Sequence, residues 1–140
     1  MTPEQALALV AAHRVGVLVT LRRDGRPQTS NVAYAVSGSE VWVSLTEDRA
    51  KTRNLRRDPR VGLHVSTPDL SSWAAVEGSA DLSPVSTTPG DDPGQGLAEL
   101  YRLVAGEDHP DWDEFFEAMV AERRVLLRFE VTHGYGGGAG

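Results

Sequence analysis

Apolar and polar residues alternate along several short stretches of the chain, and this pattern predicts a protein built mainly from β-strands. Stretches rich in apolar and β-branched residues, separated by turn residues, are typical of strands joined by hairpins. The clearest turn is Asp24-Gly25, which separates two such stretches. The predicted strands cover residues 15–21, 27–36, 40–46, 61–66, 73–83 and 125–131.

Four helices complete the predicted secondary structure. Thr2 and Asp48 are suited to cap the first two, and the first should end near His13. Strands linked by hairpins, with few helices between them, favour an antiparallel barrel over a doubly wound parallel sheet. The remaining helices are predicted at residues 48–58, 96–105 and 111–122, and a mobile surface loop at 86–96.

Length and composition limit the class of protein. A chain of 140 residues suits one domain with one core, so we expect a single domain over residues 1–140, with 136–140 as a frayed tail. The absence of cysteine excludes disulfides, thiolate zinc sites and a cysteine nucleophile. No apolar run approaches the roughly 20 residues of a membrane span, and residues 1–14 lack the pattern of a signal peptide. We therefore expect a cytoplasmic protein that does not enter a membrane.

Charge is distributed unevenly along the chain. The formal net charge of −6 argues against a general affinity for nucleic acid. Residues 48–60 nevertheless contain six basic and two acidic residues, whereas residues 91–122 contain ten acidic residues and one arginine. A basic segment inside an acidic protein indicates a local anion-binding site.

The strongest candidate for this site is the segment Arg49-Ala50-Lys51-Thr52-Arg53-Asn54. It follows a predicted strand and begins a predicted helix, where backbone N–H groups and the helix dipole attract anions. Lys51, the only lysine of the chain, suits a phosphate as a compact charge, and Arg49 can offer paired donors. Thr52 and Asn54 can donate further hydrogen bonds. The alternative interpretation is a solvated, positively charged helix face.

The second candidate is the polar stretch Arg26-Pro27-Gln28-Thr29-Ser30-Asn31 in the second predicted strand. Polar side chains on both faces of a strand are unusual in a buried sheet. Gln28, Ser30 and Asn31 can hydrogen-bond a polyol chain or the edge of a heterocycle. Ser44, in the neighbouring strand, has the same capacity. The alternative interpretation is an exposed edge strand.

No metal site is predicted from the sequence. The histidines are His13, His64, His109 and His133; none is paired with another at helical spacing, and cysteine ligands are absent. The chain also has no Gly-x-Ser-x-Gly motif and no glycine-rich phosphate loop. The sequence therefore assigns no catalytic residue.

Taken together, these segments resemble the pyridoxamine 5′-phosphate oxidase-like split barrels, and more closely their actinobacterial branch of F420-dependent enzymes. The resemblance covers most of the chain, and its most specific part is Arg49–Asn54. The matching segments are Gly16–Leu18, Asp24–Gln28, Ser30–Val32, Arg49–Pro59, Glu77–Gly78, Leu100–Arg102, Asp111–Trp112 and Arg123–Leu127.

The resemblance implies a mainly β (α+β) fold: a six-stranded antiparallel split β-barrel of the FMN-binding type with peripheral helices. It also implies a homodimer with two cofactor clefts at the interface. By analogy, the cofactor phosphate contacts are Arg49, Lys51, Thr52 and Asn54. The ring and ribityl contacts are Arg26, Pro27, Gln28, Ser30 and Asn31, with Ser44 nearby. The partner subunit is expected to close the site with Trp73 and residues 133–135.

The function implied by the resemblance is that of an oxidoreductase. A reduced deazaflavin, F420, would pass a hydride from its C5 to an electron-poor double bond of an unsaturated or conjugated small molecule. An FMN-dependent oxidase or reductase is the first alternative. Arg53, Arg56 and Arg57 favour the deazaflavin, because its tail carries more negative charge. The second alternative is a non-catalytic cofactor carrier, or a haem-binding split barrel with His64 or His133 as the axial ligand.

Overall fold

The computed structural model of the chain describes residues 1–138, which form four α-helices and eight β-strands. The helices are α1 (Pro3–Ala11), α2 (Ala50–Arg57), α3 (Asp92–Ala105) and α4 (Trp112–Ala121). The strands are β1 (Val15–Leu21), β2 (Pro27–Ala33), β3 (Ala35–Ser37), β4 (Glu40–Thr46), β5 (Arg60–Ser66), β6 (Ser72–Leu82), β7 (Arg124–Glu130) and β8 (His133–Gly138).

The strands form one antiparallel sheet that curls into a split barrel. Its order is β2-β1-β5-β6-β7-β4-β3, and β8 pairs with β6. β2 and β3 lie at opposite ends of this order, yet Tyr34 alone separates them in the chain. Because one residue spans only about 3.5 Å, the sheet must curl until its two edges approach each other. The predicted split barrel with peripheral helices is confirmed.

β6 joins the two halves of the barrel. Its first part pairs with β5 on one side and β8 on the other, and residues 80–82 pair with β7. Gly78 lies where the strand changes partners. A Cβ at this position would come within 2.2 Å of Glu130 O, so only glycine lets the two backbones approach so closely.

The main hydrophobic core fills the barrel interior. Val41, Val43 and Leu45 of β4 point into it, as the alternation of the sequence predicts. Trp42 points the other way, into a smaller core that α3 forms with β4 and β7. The helices between β6 and β7 thus cover the outer face of one half of the sheet.

α1 closes one end of the barrel. Thr2 and Gln5 form the reciprocal hydrogen bonds of a capping box, which fixes where the helix begins. The hydroxyl of buried Tyr34 donates a hydrogen bond to Val10 O of this helix. Burial of the phenol raises the pKa of Tyr34.

Some sequence predictions are wrong in their boundaries. The barrel sheet has eight strands, not six, partly because the predicted strand 27–36 divides at Tyr34 into β2 and β3. The predicted loop 86–96 is shortened because α3 already begins at Asp92. Asp91 caps that helix by accepting a hydrogen bond from Gly94 N, a role that the loop-like composition conceals.

The other strand beyond the six predicted is β8, which the glycine-rich end of the chain forms. Residues 136–140 were expected to fray, but β8 continues through Gly138 and pairs with β6; Ala139 and Gly140 lie outside the described residues. A Cβ at Gly136 would lie 2.3 Å from Trp73 O, so the missing side chain permits the pairing. Among residues 1–138, no helix has the length and apolar character needed to cross a membrane.

Candidate functional site

The two candidate segments of the sequence meet at one point. Lys51 Nζ donates a hydrogen bond to Ser30 Oγ at 3.0 Å, linking α2 to β2. α2 packs against β1, the strand that pairs with β2, and this packing brings Lys51 within reach of the serine. The lysine side chain is partly buried, with its ammonium in a polar setting.

Two further cations surround the Lys51 ammonium. Burial is the first cause that lowers the pKa of Lys51, and the positive charges of Arg49 and Arg124 lower it further. Arg124 is itself paired with Glu122, its Nη2 lying 2.9 Å from a carboxylate oxygen. Three cations close to one carboxylate leave an excess of positive charge, which a bound anion would relieve.

The beginning of α2 adds to this positive potential. Arg49 occupies the N-cap position, and no side chain caps the helix. Asp48, the predicted cap, instead has its backbone carbonyl bound by Arg53 Nη2 at 2.9 Å. The first N–H groups of the helix therefore lack a side-chain acceptor, next to the Lys51 ammonium.

Thr52 and Asn54 point away from this cluster, into the protein. Thr52 Oγ1 donates to Thr46 O at 2.7 Å, and Asn54 Nδ2 donates to Gln28 Oε1 at 2.9 Å. Both side chains are buried. These bonds hold α2 against the sheet and so position its basic side chains. Direct contact of Thr52 and Asn54 with a cofactor stays a prediction.

The polar residues of β2 divide between the two faces of the strand. Gln28 and Ser30 face α2 and are bound to it. Asn31 is exposed and, as the next residue along, points to the opposite face. Arg26 and Pro27 are exposed at the hairpin end of β2. Of the five predicted ring contacts, the structure brings Gln28 and Ser30 to the basic segment.

Arg124 is a site residue that sequence reasoning missed. β7 pairs with β4 in a register that sets Arg124 opposite Thr46, and its Nη1 lies 3.5 Å from Ser44 Oγ. The signal in the sequence is the pair Arg123-Arg124 directly before an apolar strand. Only the strand order, in which β7 lies beside β4, brings Arg124 of that pair next to Ser44.

The remaining basic side chains of α2 are engaged at the surface. Arg56 Nη2 lies 2.7 Å from Glu47 Oε2, and Arg57 Nη2 donates to Leu21 O at 2.7 Å. Exposed ion pairs of this kind contribute little to stability. Their guanidinium groups still add positive charge to the face of α2.

Trp73 lies away from the Lys51 cluster within one chain, because β1 and β5 separate β6 from β2. Its ring stacks on His64, with 5.7 Å between ring centroids, and meets Tyr135 edge to face at 5.9 Å. Trp73 and Tyr135 are both exposed. An aromatic cluster thus stands on the outer side of the sheet.

Beside this cluster lies a wide concavity with a volume of about 710 Å³, and the face that lines it is here called the outer sheet surface. Its walls are mainly apolar because Val17, Val19 and Leu21 of β1 point outward, while Leu18 and Thr20 point into the barrel. The residues lining the surface are Val17, Val19, Leu21, Thr29, Arg60, Val61, Gly62, Leu63, His64, Ala75, Val76, Glu77, Gly78, Thr132, His133 and Tyr135.

Histidine and carboxylate side chains form no metal-binding group of three or more within residues 1–138. The acidic residues near the start of α4 stabilise its N-terminus, where Asp111 Oδ1 accepts a hydrogen bond from Glu114 N at 3.2 Å. The candidate ligand sites described so far are thus the cationic site at Lys51 and the separate apolar outer sheet surface.

The sequence and fold are similar to those of known proteins. A family model described as pyridoxamine 5′-phosphate oxidase matches residues 2–136. A conserved hypothetical protein of Mycobacterium tuberculosis has a TM-score of 0.74 and 23% identity over 97% of this chain and 84% of its own. An F420 reductase has a TM-score of 0.62 and 25% identity over 87% of this chain and 89% of its own. A haem-binding protein of Mycobacterium smegmatis has a TM-score of 0.71 and 22% identity over 98% of this chain and 54% of its own.

Proposed function

The chain belongs to the pyridoxamine 5′-phosphate oxidase family of flavin-binding split barrels, and from this premise we propose that it is an oxidoreductase that uses the deazaflavin F420. The proposed reaction transfers a hydride to an electron-poor double bond of an unsaturated or conjugated small molecule. The similarity to an F420 reductase supports this choice of cofactor.

The observation that carries the proposal is the hydrogen bond between Lys51 Nζ and Ser30 Oγ, set among the charges of Arg49 and Arg124. A cationic site that also offers hydroxyl groups fits a phosphate, since each phosphate oxygen accepts from charged and neutral donors alike. Flavin mononucleotide and F420 both carry such a phosphate group. The residues present therefore fit the cofactor class of the family.

The residues that would hold the cofactor phosphate are Lys51 and Arg49, with Ser30 and the first N–H groups of α2 as further donors. Gln28 is already bound to Asn54, so it can accept or donate only through its remaining positions. Arg26 and Pro27 lie at the hairpin end of β2, where they are exposed and available for the ring and ribityl part. Asn31 lies nearer the other end of β2 on the face opposite Ser30, and its contact with the ring stays a prediction.

When bound in its reduced form, the deazaflavin supplies the hydride, which reaches one carbon of the substrate double bond while a proton reaches the other. The protein orients the reactants and keeps the anionic cofactor in place. No side chain of the described site is assigned as the proton donor. Solvent, or water held by Arg124 or Lys51, is the proton source in this proposal.

We propose a homodimer that forms through the outer sheet surface. Val17, Val19 and Leu21 leave an apolar face on β1 that a second copy of the chain would cover. Such a dimer would also bring Trp73 and Tyr135 of the partner subunit toward the cofactor cleft. That placement would give the exposed aromatic cluster a role in closing the site.

Two rival cofactors are distinguishable by experiment. FMN would use the same phosphate site as F420, because the two cofactors differ only in their ring and their tail. Haem would instead use the apolar outer sheet surface, which His64 and His133 flank. A Soret band that appears on adding haem and is lost in His64→Ala or His133→Ala would favour the haem carrier.

The direct test is a side-by-side fluorescence titration of the purified protein with F420 and FMN. We expect tight binding of F420 and weaker binding of FMN. The reverse order would assign the protein to the FMN-dependent enzymes of the family. Binding of neither cofactor would overturn the proposed redox function.

A further inference from the structure

A second cavity, here called the helical cavity, lies next to the cationic site. It has a volume of about 300 Å³ and opens between α3, α4 and the strands that they cover. Its lining residues are Ala33, Ser44, Leu97, Leu100, Tyr101, Val104, Phe115, Met119 and Arg124.

The helical cavity is apolar at one end and cationic at the other. α3 and α4 supply aliphatic and aromatic side chains, of which Leu97 and Leu100 are buried in the smaller core. The strands supply Ser44 and Arg124, whose hydroxyl and guanidinium groups lie 3.5 Å apart. This combination is typical of a small-molecule site, in which apolar walls bind the body and a few polar groups fix its orientation.

Arg124 belongs to both sites. Its Nε and Nη2 are bound to Glu122, whereas Nη1 is directed toward Ser44 and its charge acts on Lys51. A ligand in the helical cavity would therefore end beside the residues that hold the cofactor phosphate.

We propose that the helical cavity binds an aromatic or alicyclic carboxylate whose carboxylate group is bound by Arg124 and Ser44, beside the proposed phosphate site. This binding does not depend on the proposed redox function. Because Nε and Nη2 of Arg124 are bound to Glu122, the carboxylate would accept from Arg124 Nη1 and from the hydroxyl of Ser44. The limited volume favours a molecule of one or two rings.

The binding test uses 2-naphthoate as the probe and its neutral isostere 2-naphthamide as the comparison, in equilibrium dialysis without cofactor. We expect the wild-type chain to bind the naphthoate at least tenfold more tightly than the amide, because a charged hydrogen bond is lost in the amide. Equal binding of the two probes, or binding of neither, would overturn the proposal.

Three variants locate the probe. Arg124→Gln should reduce naphthoate affinity about tenfold, while Arg123→Gln, which removes the neighbouring exposed charge, should not. Met119→Trp should abolish binding by filling the helical cavity. Loss of naphthoate binding in Lys51→Ala, with retention in Met119→Trp, would place the probe at the phosphate site and overturn the proposal.

The outcomes separate this inference from the proposed function. Cofactor titrations of the same variants should show that Met119→Trp still binds F420 or FMN, which also demonstrates that it folds. Naphthoate binding that depends on Arg124, in a protein that binds no cofactor, would keep the cavity assignment and reject the redox role. Cofactor binding without naphthoate binding would reject the cavity assignment alone.

Discussion

Lys51 Nζ lies 3.0 Å from Ser30 Oγ, and this hydrogen bond joins the basic helix to the polar strand, as does that of Asn54 with Gln28. The lysine is the only one in the chain, and burial, followed by the charges of Arg49 and Arg124, lowers its pKa. A site that crowds like charges in the absence of a ligand is prepared for an anion. In the proposed function, an anion bound at this site is the reason for a basic segment in a protein of net charge −6.

The pH dependence of cofactor binding should report the ionisation of Lys51. Its pKa is lowered in the free protein, and a bound phosphate raises it by favouring the charged form. Affinity should therefore be full below the free-protein pKa and should fall as the pH rises through it, at a pH below the usual lysine value of about 10.4. Fluorescence titrations across this range measure the effect.

Lys51→Arg is the matched variant for that experiment, because its guanidinium stays charged throughout the range. Its affinity for the phosphorylated cofactor should be independent of pH where that of the wild type declines. An equal decline in both proteins would show that a group other than Lys51 controls binding.

The salt dependence of binding should differ between the two cofactors. Arg53, Arg56 and Arg57 add charge to the face of α2, and the longer anionic tail of F420 can interact with it. We expect F420 affinity to fall more steeply with ionic strength than FMN affinity, because exposed charges are screened over about 10 Å at 0.1 M salt. Identical slopes in the two titrations would contradict a role for these arginines in holding the tail.

The fold follows from the sequence wherever hydrophobic alternation alone decides the structure. β1 is an almost continuous apolar run, and β4 and β5 alternate buried apolar with less buried residues, so all three lie close to their predicted positions. β8 could not be predicted in this way. Its residues are mostly glycine, and the strand exists only because the edge of β6 offers hydrogen-bonding partners that no local pattern reveals.

The candidate site is likewise divided between residues that the local sequence indicates and residues that only the fold brings to it. Composition and position at a helix start single out Lys51 and Arg49 as candidates, and their contact with a cofactor stays a prediction. Arg124 is distant in sequence from both, and it joins them only through the pairing of β7 with β4. Asn54 was identified as a donor, but the local pattern could not show that its amide is bound to Gln28.

Substitution of the outer sheet surface should disrupt the proposed dimer. Val19→Lys places a charge in the middle of the apolar face of β1, where burial against a second copy would be unfavourable. Sedimentation equilibrium should show a dimer for the wild type and a monomer for the variant. Leu103→Lys, at an exposed apolar position of α3, is the control and should remain dimeric. A wild type that sediments as a monomer would reject the interface.

The stability of the fold should decline in alkaline solution because of Tyr34. Burial raises the pKa of Tyr34, so the folded state keeps the phenolic proton at a pH where the unfolded chain loses it. The stability that the protonated Tyr34 contributes is complete below the pKa of about 10 that tyrosine has in the unfolded chain. It is lost as the pH rises above that value. Urea unfolding at about pH 8 and pH 11 measures the change.

Tyr34→Phe should remove this alkaline decline at a cost of about 1 kcal/mol near neutral pH, because it loses the hydrogen bond to Val10 O. Tyr135→Phe changes an exposed phenol and should leave the decline unchanged. A decline that persists in Tyr34→Phe would assign the alkaline transition to other groups.

The central claim, that Lys51 holds the cofactor phosphate, is tested most directly by comparing FMN with riboflavin, which lacks the phosphate, in the wild type and in Lys51→Ala. We expect the wild type to prefer FMN, and Lys51→Ala to lose roughly 1.5–3 kcal/mol of FMN binding while its riboflavin affinity is unchanged. Arg23→Ala, which removes an exposed charge in the β1–β2 turn, should behave as the wild type. A preference for FMN that is undiminished in Lys51→Ala would contradict the account.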